Sequence, residues 1–118
     1  NDQRAASFAR RNIVANQAPN IEFHRSDAVQ WLGGFSKAGD SRADLVLLNP
    51  PRTGALEAIP RIVEMNPERV TYVSCDPTTL ARDLRGLIES GYDLSSVTAI
   101  DLFPQTYHVE TIAALERR

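Results

Sequence analysis

Apolar and polar positions follow two periods along the chain, one typical of helices and one typical of strands. Helical spacing predicts helices over residues 2–16, 55–64 and 77–90. Alternation or short apolar runs predict strands over 21–24, 45–48, 70–74, 94–102 and 108–115. Residues 33–43 contain Gly-Gly and Gly-Asp-Ser and are predicted to form a loop.

Turn and cap residues refine these elements. Asp76 followed by Pro77 is a strong signal for a helix start, and Gly91 is a suitable end for the same helix. Pro60 lies inside the predicted helix 55–64, so we expect a kink or a break there. The run 45–48 is apolar throughout, which predicts a strand covered on both faces. The predicted helices bury two apolar stripes: Leu56, Ile59, Ile62 and Val63 in one, Leu80, Leu84, Leu87 and Ile88 in the other.

The order of these elements predicts an α/β layered domain with a mostly parallel sheet. The last two strands are joined by a short loop, so they must be antiparallel neighbours. No repeat or linker divides the 118 residues, and we treat 1–118 as one domain or a portion of one.

Composition narrows the class of protein. An apolar content of 42% and a charged content of 24% are ordinary for a globular protein. No apolar run approaches the ~20 residues of a membrane span. The single cysteine excludes an internal disulfide framework and fits a cytoplasmic protein. The net charge of −2 is unlike a basic nucleic-acid module, although the positive side chains are nearly all arginine, which suits phosphates and bases.

Three unusual segments are expected at one edge of the sheet, where the carboxyl ends of parallel strands meet. They are 48–52 (Leu-Asn-Pro-Pro-Arg), 74–77 (Ser-Cys-Asp-Pro) and 103–108, which precedes the returning strand. Cys75 lies before a helix N-terminus, a position that favours a thiolate. Taken alone, a cysteine at a strand end is more often a small buried filler.

Other polar residues near this edge have two interpretations each. His108 and Glu110 are two residues apart, so in a strand they would share a face. Glu110 is either a functional carboxylate or a solvated strand end, and a lone histidine is more often structural than catalytic. Asn49 and Asp27 are either cofactor-pocket residues or ordinary turn residues.

Together these segments resemble the RNA uracil-5-methyltransferases that modify tRNA and 23S ribosomal RNA. The matching stretches are LLNPPRTG (47–54), VTYVSCDPTTLARDL (70–84) and DLFPQTYHVE (101–110), in the same order and spacing. The resemblance implies a Rossmann-like methyltransferase fold, S-adenosylmethionine as cofactor and RNA as partner. It also implies that Cys75 is the nucleophile and Glu110 the base, with Asp27 and Asn49 in the cofactor pocket.

The implied reaction explains these residue types. A thiolate that adds to carbon 6 of uracil makes carbon 5 nucleophilic toward a methyl group, and a base then removes the carbon 5 proton. The chain departs from the family at two positions. The family usually has aspartate at position 49 and asparagine at position 76, and here the two are exchanged, which puts the role of Asn49 in doubt.

The family's first two strands and glycine-rich cofactor turn have no counterpart in the sequence. We therefore expect a C-terminal portion of the catalytic domain, inactive by itself and binding S-adenosylmethionine weakly. An RNA-binding domain and any iron–sulfur cluster would lie upstream. A gap is expected in the sheet between 21–24 and 45–48, closed by rearrangement or by self-association.

Three alternatives remain at this stage. An RNA cytosine-5-methyltransferase usually has another cysteine in the turn at 49–52, where this chain has none. An amino-group methyltransferase would have an aromatic residue at the position of Arg52. A degenerate methyltransferase domain would serve in binding or assembly, and the exchange at 49 and 76 gives it some weight.

Overall fold

The computed structural model describes residues 3–35, 42–102 and 104–118. The helices are α1 (Gln3–Ala15), α2 (Ala28–Phe35), α3 (Ile59–Met65) and α4 (Pro77–Glu89). The strands are β1 (Leu45–Leu48), β2 (Arg69–Ser74), β3 (Tyr92–Ile100) and β4 (Glu110–Arg117). Phe103 and residues 36–41, which belong to the predicted loop 33–43, lie outside the described residues.

The four strands form one sheet in the order β1-β2-β4-β3. β1 and β2 are parallel, with Val46 opposite Val70. β4 lies between β2 and β3 and is antiparallel to both. The predicted α/β fold with a closing antiparallel hairpin is confirmed. Within the described residues the sheet is mixed, because only the β1–β2 pairing is parallel.

The hydrophobic core lies where α3 and α4 pack against the sheet. The predicted stripe of α4 is confirmed, since Leu80, Leu84 and Leu87 are buried. Burial of one such side chain contributes about 1.5–3 kcal/mol. The other buried members of this core come from α3, the turn before it and three strands: Ala58, Ile59, Ile62, Val70, Tyr72, Tyr92, Ala113 and Leu115.

Helix α4 begins and ends at the predicted signals. The Asp76 carboxylate accepts hydrogen bonds from the backbone N–H groups of Thr78 (2.9 Å) and Thr79 (3.0 Å), and Pro77 opens the first turn. Gly91, with φ of +101°, follows the helix in the left-handed region that glycine tolerates. This local chemistry fixes the position of Cys75, directly before the cap.

Helix α3 starts later than predicted. Residues 55–58 form a turn, closed by a hydrogen bond from the Ala58 N–H to the Ala55 carbonyl, and the helix begins at Ile59. Pro60 lies in the first turn, where its missing N–H is not needed, so it neither kinks nor breaks the helix. Leu56 is 52% exposed, and the prediction that it is buried is wrong.

The N-terminal third differs most from the prediction. Residues 21–24 are not a strand, because alternation alone does not form a strand without a paired neighbour. Helix α2 was predicted in part as loop, since it contains Gly33 and Gly34. Its start is capped by Asp27, whose Oδ1 accepts the Gln30 N–H at 3.0 Å.

Strand β1 forms an edge of the sheet. Val46 and Leu48 pack against the core, whereas Leu45 and Leu47 are 49% and 66% exposed. The prediction that both faces of this strand are covered is therefore wrong. Within residues 3–35, 42–102 and 104–118 the sheet is continuous, and the predicted gap is absent from it because 21–24 is not one of its strands.

The closing hairpin is shifted from its predicted bounds by two residues at each strand. Tyr92 already belongs to β3; its ring is buried and its hydroxyl donates a hydrogen bond to the Pro67 carbonyl at 3.0 Å. This anchor sets the start of β3 directly after Gly91. At the other end, β4 begins at Glu110, so His108 lies outside the strand.

Candidate active site

Three loops meet at one edge of the sheet. Because β1 and β2 are parallel, the loop 49–54 after β1 and the turn at Cys75 after β2 leave the sheet at the same edge. β4 is antiparallel to β2 and starts at this edge, with Thr111 opposite Ser74. The three segments that stood out in the sequence are therefore brought together.

Cys75 lies at a cavity of about 390 Å³. Its thiol is half-buried, between the end of β2 and the start of α4. A tight turn presents it: the Ser74 hydroxyl accepts the Asp76 N–H at 3.1 Å and donates to the Asp76 carbonyl at 3.0 Å. The cavity is lined by Arg52, Cys75, Asp76, Pro77, Tyr107, His108, Val109 and Thr111.

The carboxylate of Asp76 is engaged by the helix that it caps. Hydrogen bonds from the Thr79 N–H, and then from the Thr78 N–H and the Thr79 hydroxyl, hold the pKa of Asp76 below its usual value. The positive charge of Arg52 acts in the same direction. Asp76 is thus an ionised cap whose acceptor capacity is directed toward α4.

Arginine and aromatic side chains form the mouth of this cavity. Nη2 of Arg52 lies 3.3 Å from Nδ1 and 3.2 Å from Nε2 of His108. The Tyr107 ring lies 4.3 Å from the His108 ring and is 88% exposed. Sequence reasoning assigned no role to Arg52 or Tyr107, although both lie in segments that it singled out.

Glu110 lies at the same edge but not in the wall of either cavity described here. It is the first residue of β4, half-buried and opposite Ile100 of β3. Its neighbours Val109 and Thr111 line the cavity of Cys75. The expectation that His108 and Glu110 share a strand face does not hold, because only Glu110 is in the strand.

A second, larger cavity of about 720 Å³ lies on the other side of the loop 49–54. Asp27, at the start of α2, and Asn49, directly after β1, both line it. The structure therefore brings together the two residues that were predicted to share a pocket. Its apolar walls include Val29, Leu32 and Pro50.

The loop 49–54 separates the two cavities. Arg52 lines the cavity of Cys75, while its neighbours Pro51 and Thr53 line the larger one. A molecule in one cavity would thus be separated from a molecule in the other by one short stretch of backbone. Within the described ranges, no group of three or more His, Cys, Asp or Glu side chains is arranged to hold a metal ion.

Comparison with known sequences identifies related proteins. The sequence pattern of the family described as tRNA (Uracil-5-)-methyltransferase matches residues 3–118. A Thermotoga maritima protein described as an uncharacterized RNA methyltransferase is 45% identical over 112 residues, covering 94% of this chain and 25% of that protein. The 23S rRNA (uracil(1939)-C(5))-methyltransferase of Aeromonas hydrophila is 43% identical over 115 residues, covering 98% and 25%. The chain spans about a quarter of the length of these curated relatives.

Two solved structures share the fold. Pyrococcus abyssi tRNA (uracil-54, C5)-methyltransferase, in complex with S-adenosyl-L-homocysteine, aligns with a TM-score of 0.74 at 32% identity, over 97% of this chain and 26% of that chain. M1.HpyAVI aligns with a TM-score of 0.63 at 18% identity, over 80% and 54%, which indicates the fold alone. No helix in the described part of the chain has the length and apolar character needed to cross a membrane.

Proposed function

Because the chain belongs to the tRNA (uracil-5-)-methyltransferase family, we propose that it forms the catalytic edge of an enzyme that methylates carbon 5 of a uridine in rRNA or tRNA. The observation that carries the proposal is the pair of cavities on either side of the loop 49–54. Cys75 lines one, and Asp27 and Asn49 line the other. For this reaction, the nucleophile and the methyl donor must lie close to each other without occupying the same cavity.

Cys75 acts as the nucleophile in this proposal. Its thiolate forms a bond to carbon 6 of the uracil, and the ring becomes an enolate with negative charge at carbon 5. Carbon 5 then takes the methyl group, a base removes the remaining carbon 5 proton, and the bond to Cys75 breaks with return of the thiolate. A base stacked in a helix cannot reach this cavity, so the target uridine must be turned out of its stack.

Glu110 is the proposed base for the carbon 5 proton. The support is its position at the start of β4, between two residues that line the cavity of Cys75. His108, whose side chain does line the cavity, is the competing candidate. The two candidates differ in what replacement by glutamine would do, because glutamine cannot accept the carbon 5 proton.

The larger cavity is the proposed site of S-adenosylmethionine, which supplies an electrophilic methyl group on a positively charged sulfur. Its volume lies in the range of small-molecule pockets, and its apolar walls suit a nucleoside. The Asp27 carboxylate and the Asn49 amide provide the polar contacts. Oδ1 of Asp27 accepts the bond from α2, and Oδ2 is the oxygen that would contact the cofactor.

The mouth of the Cys75 cavity is the proposed RNA contact. A guanidinium fork binds phosphate, and an exposed aromatic ring stacks on a base. Arg52 and Tyr107 supply these two groups beside the cavity. An RNA-modifying enzyme works where its substrate is, and we place this one in the cytoplasm.

The test uses the full-length enzyme, meaning a protein of its relatives' length that contains this sequence. It is incubated with S-adenosylmethionine and with rRNA or tRNA transcripts that carry 5-fluorouridine. Fluorine cannot leave carbon 5 as a proton would, so the adduct with the enzyme persists. We expect a covalent protein–RNA band that is absent in Cys75→Ala.

Each alternative predicts a different result. Methyl transfer to cytosine or to an amino group, without a fluorouridine adduct, would replace the proposed function with that activity. RNA binding without methyl transfer to any transcript would favour a non-catalytic domain. A fluorouridine adduct that persists in Cys75→Ala would overturn the role of this thiol.

A further inference from the structure

Asp83, on α4, is a buried charged residue outside both cavities. The Asp83 side chain is fully buried, and no step of the proposed reaction uses it. Its Oδ2 accepts hydrogen bonds from the Ala55 N–H and from the Tyr72 hydroxyl, each at 2.6 Å. Its Oδ1 accepts from Arg82, with Nε at 2.9 Å and Nη2 at 2.8 Å. A buried carboxylate with this many donors holds its neighbours tightly.

Two further bonds connect the same face of α4 to the same loop. Nη2 of Arg82 donates to the Thr53 carbonyl at 2.9 Å. The Thr79 hydroxyl donates to the Arg52 carbonyl at 2.9 Å. Residues 79, 82 and 83 are three and four positions apart and therefore face the same side of the helix. Together they bind the backbone of the loop at residues 52, 53 and 55.

Gly54 lies in the middle of these contacts. Its φ is +79°, and a Cβ built there would lie 2.5 Å from Oδ2 of Asp83 and 2.6 Å from Nη2 of Arg82. The loop backbone therefore approaches α4 as closely as a residue without a side chain allows.

We propose that Thr79, Arg82 and Asp83 are positioning residues that fix the loop 52–55 as the wall between the two cavities. The inference rests on the proposed function and deepens it. Cys75 directly precedes Asp76, the N-cap of α4, so one helix holds both the nucleophile and the wall that separates it from the methyl donor. The distance between the reacting groups is then set by α4, and displacement of the wall slows methyl transfer.

Arg82 is the first residue for a test, because its side chain is 43% exposed and binds both Asp83 and the loop. Arg82 also lines the larger cavity, so the cofactor is kept saturating to remove any effect on its binding. Arg82→Met is compared with Arg85→Met in the full-length enzyme. Arg85 is on the same helix, is exposed, and does not line either cavity. Methyl transfer is measured in a single turnover with enzyme, RNA and S-adenosylmethionine at saturating concentrations.

The single-turnover reaction separates positioning from folding. The amplitude reports how much enzyme is folded and active, whereas the rate constant reports the alignment of the reacting groups. We expect Arg82→Met to lower the rate constant at least ~10-fold, since small displacements of reacting groups have effects of this size or larger. Arg82→Met should also lower the melting temperature relative to Arg85→Met, because Oδ1 of the buried Asp83 loses the donors of Arg82. The amplitude corrects for any loss of folded enzyme, so the rate constant still reports alignment.

Thr79→Val and Thr78→Val form a second pair that preserves side-chain shape. Only Thr79 donates its hydroxyl to the loop, so only Thr79→Val should slow the rate constant. Rate constants of Arg82→Met and Thr79→Val equal to those of their controls would overturn the positioning role. If the unchanged enzyme does not methylate RNA at all, the proposed function fails instead, and the two failures are thereby distinguished.

Discussion

The Tyr72 hydroxyl on β2 donates a 2.6 Å hydrogen bond to the Asp83 carboxylate on α4, and both side chains are buried. Burial, followed by the hydrogen bond to Asp83, raises the pKa of Tyr72 well above its ordinary value. The hydroxyl therefore remains a donor throughout the neutral range. This bond joins the strand that ends before Cys75 to the helix that begins after it.

Removal of this donor should destabilise the fold. Tyr72→Phe leaves a buried carboxylate with one fewer donor, and a bond to a charged group contributes about 1.5–3 kcal/mol. Tyr92→Phe is the matched control, because its buried hydroxyl binds the neutral Pro67 carbonyl and should contribute about 0.5–1.5 kcal/mol. Denaturant unfolding of the full-length enzyme measures both. A smaller loss in Tyr72→Phe than in Tyr92→Phe would contradict the account.

The same bond predicts how stability depends on alkaline pH. The pKa of Tyr72 is higher in the folded state than in the unfolded state, where it is near 10.0. Its contribution to stability is therefore complete below pH ~10 and is lost as the pH rises toward the folded-state pKa. The loss of stability above pH ~10 should be smaller in Tyr72→Phe than in the unchanged protein. Equal alkaline slopes in the two proteins would contradict this assignment.

The two glycines with positive φ offer a matched pair. Gly91→Ala meets no atom within 4 Å and should cost about 1 kcal/mol of stability through backbone strain alone. Gly54→Ala has the same strain and also collides with Asp83 and Arg82. We expect the larger loss of stability in Gly54→Ala, measured by thermal unfolding, together with loss of methyl transfer. The methyl-transfer activity of Gly91→Ala should fall only as far as its folded fraction falls.

Sequence predicts the parts of this molecule that local chemistry determines. Asp76 and Pro77 mark the start of α4 because a cap and a proline act within one turn of helix. The closing hairpin follows from two strand patterns joined by a short loop. The meeting of the three loops at one edge follows from the direction of the strands alone.

The remaining features depend on contacts between distant residues. Residues 21–24 have a strand pattern but no strand beside them to pair with. The pattern of a segment does not show whether a second strand lies next to it. Tyr72 and Asp83 are on different elements, so no periodicity indicates their bond. Side chains along a strand alternate with a period of two, so a strand that starts two residues later keeps Glu110 on the same face. A two-residue shift of β4 leaves His108 in the cavity wall and outside the strand.

The base can be assigned by replacing each candidate, Glu110 and His108, with glutamine. Glu110→Gln removes a proton acceptor, so if Glu110 is the base, the reaction stops at the methylated covalent adduct, before the carbon 5 proton is removed. We expect Glu110→Gln to accumulate a protein–RNA adduct with ordinary uridine and to release product at least ~100-fold more slowly. His108→Gln should release product at nearly the normal rate. Accumulation of the adduct in His108→Gln instead would transfer the role to His108.

Asn49 tests the electrostatics of the methyl-donor cavity. Asn49→Asp adds a negative charge beside a ligand whose sulfur is positively charged, and an exposed charge pair contributes about 0.2–1 kcal/mol. We expect S-adenosylmethionine to bind up to ~5-fold more tightly by calorimetry. The uncharged-sulfur product S-adenosylhomocysteine should change less. Asn20→Asp, an exposed residue outside the cavity wall, controls for net charge.

Tyr107 tests the RNA side of the site. Its ring is 88% exposed at the mouth of the Cys75 cavity, where a base can stack on it. Tyr107→Ala should raise the KM for RNA by roughly 5–150-fold, the range that corresponds to loss of one base–aromatic stack. Tyr107→Phe should restore the KM, because stacking requires the ring and not the hydroxyl. Phe8→Ala removes an exposed ring on α1, outside the cavity, and should leave the KM unchanged. If Tyr107→Ala and Phe8→Ala have the same KM, a base does not stack on Tyr107. If only kcat falls in Tyr107→Ala, Tyr107 acts in the chemical step and not in RNA binding.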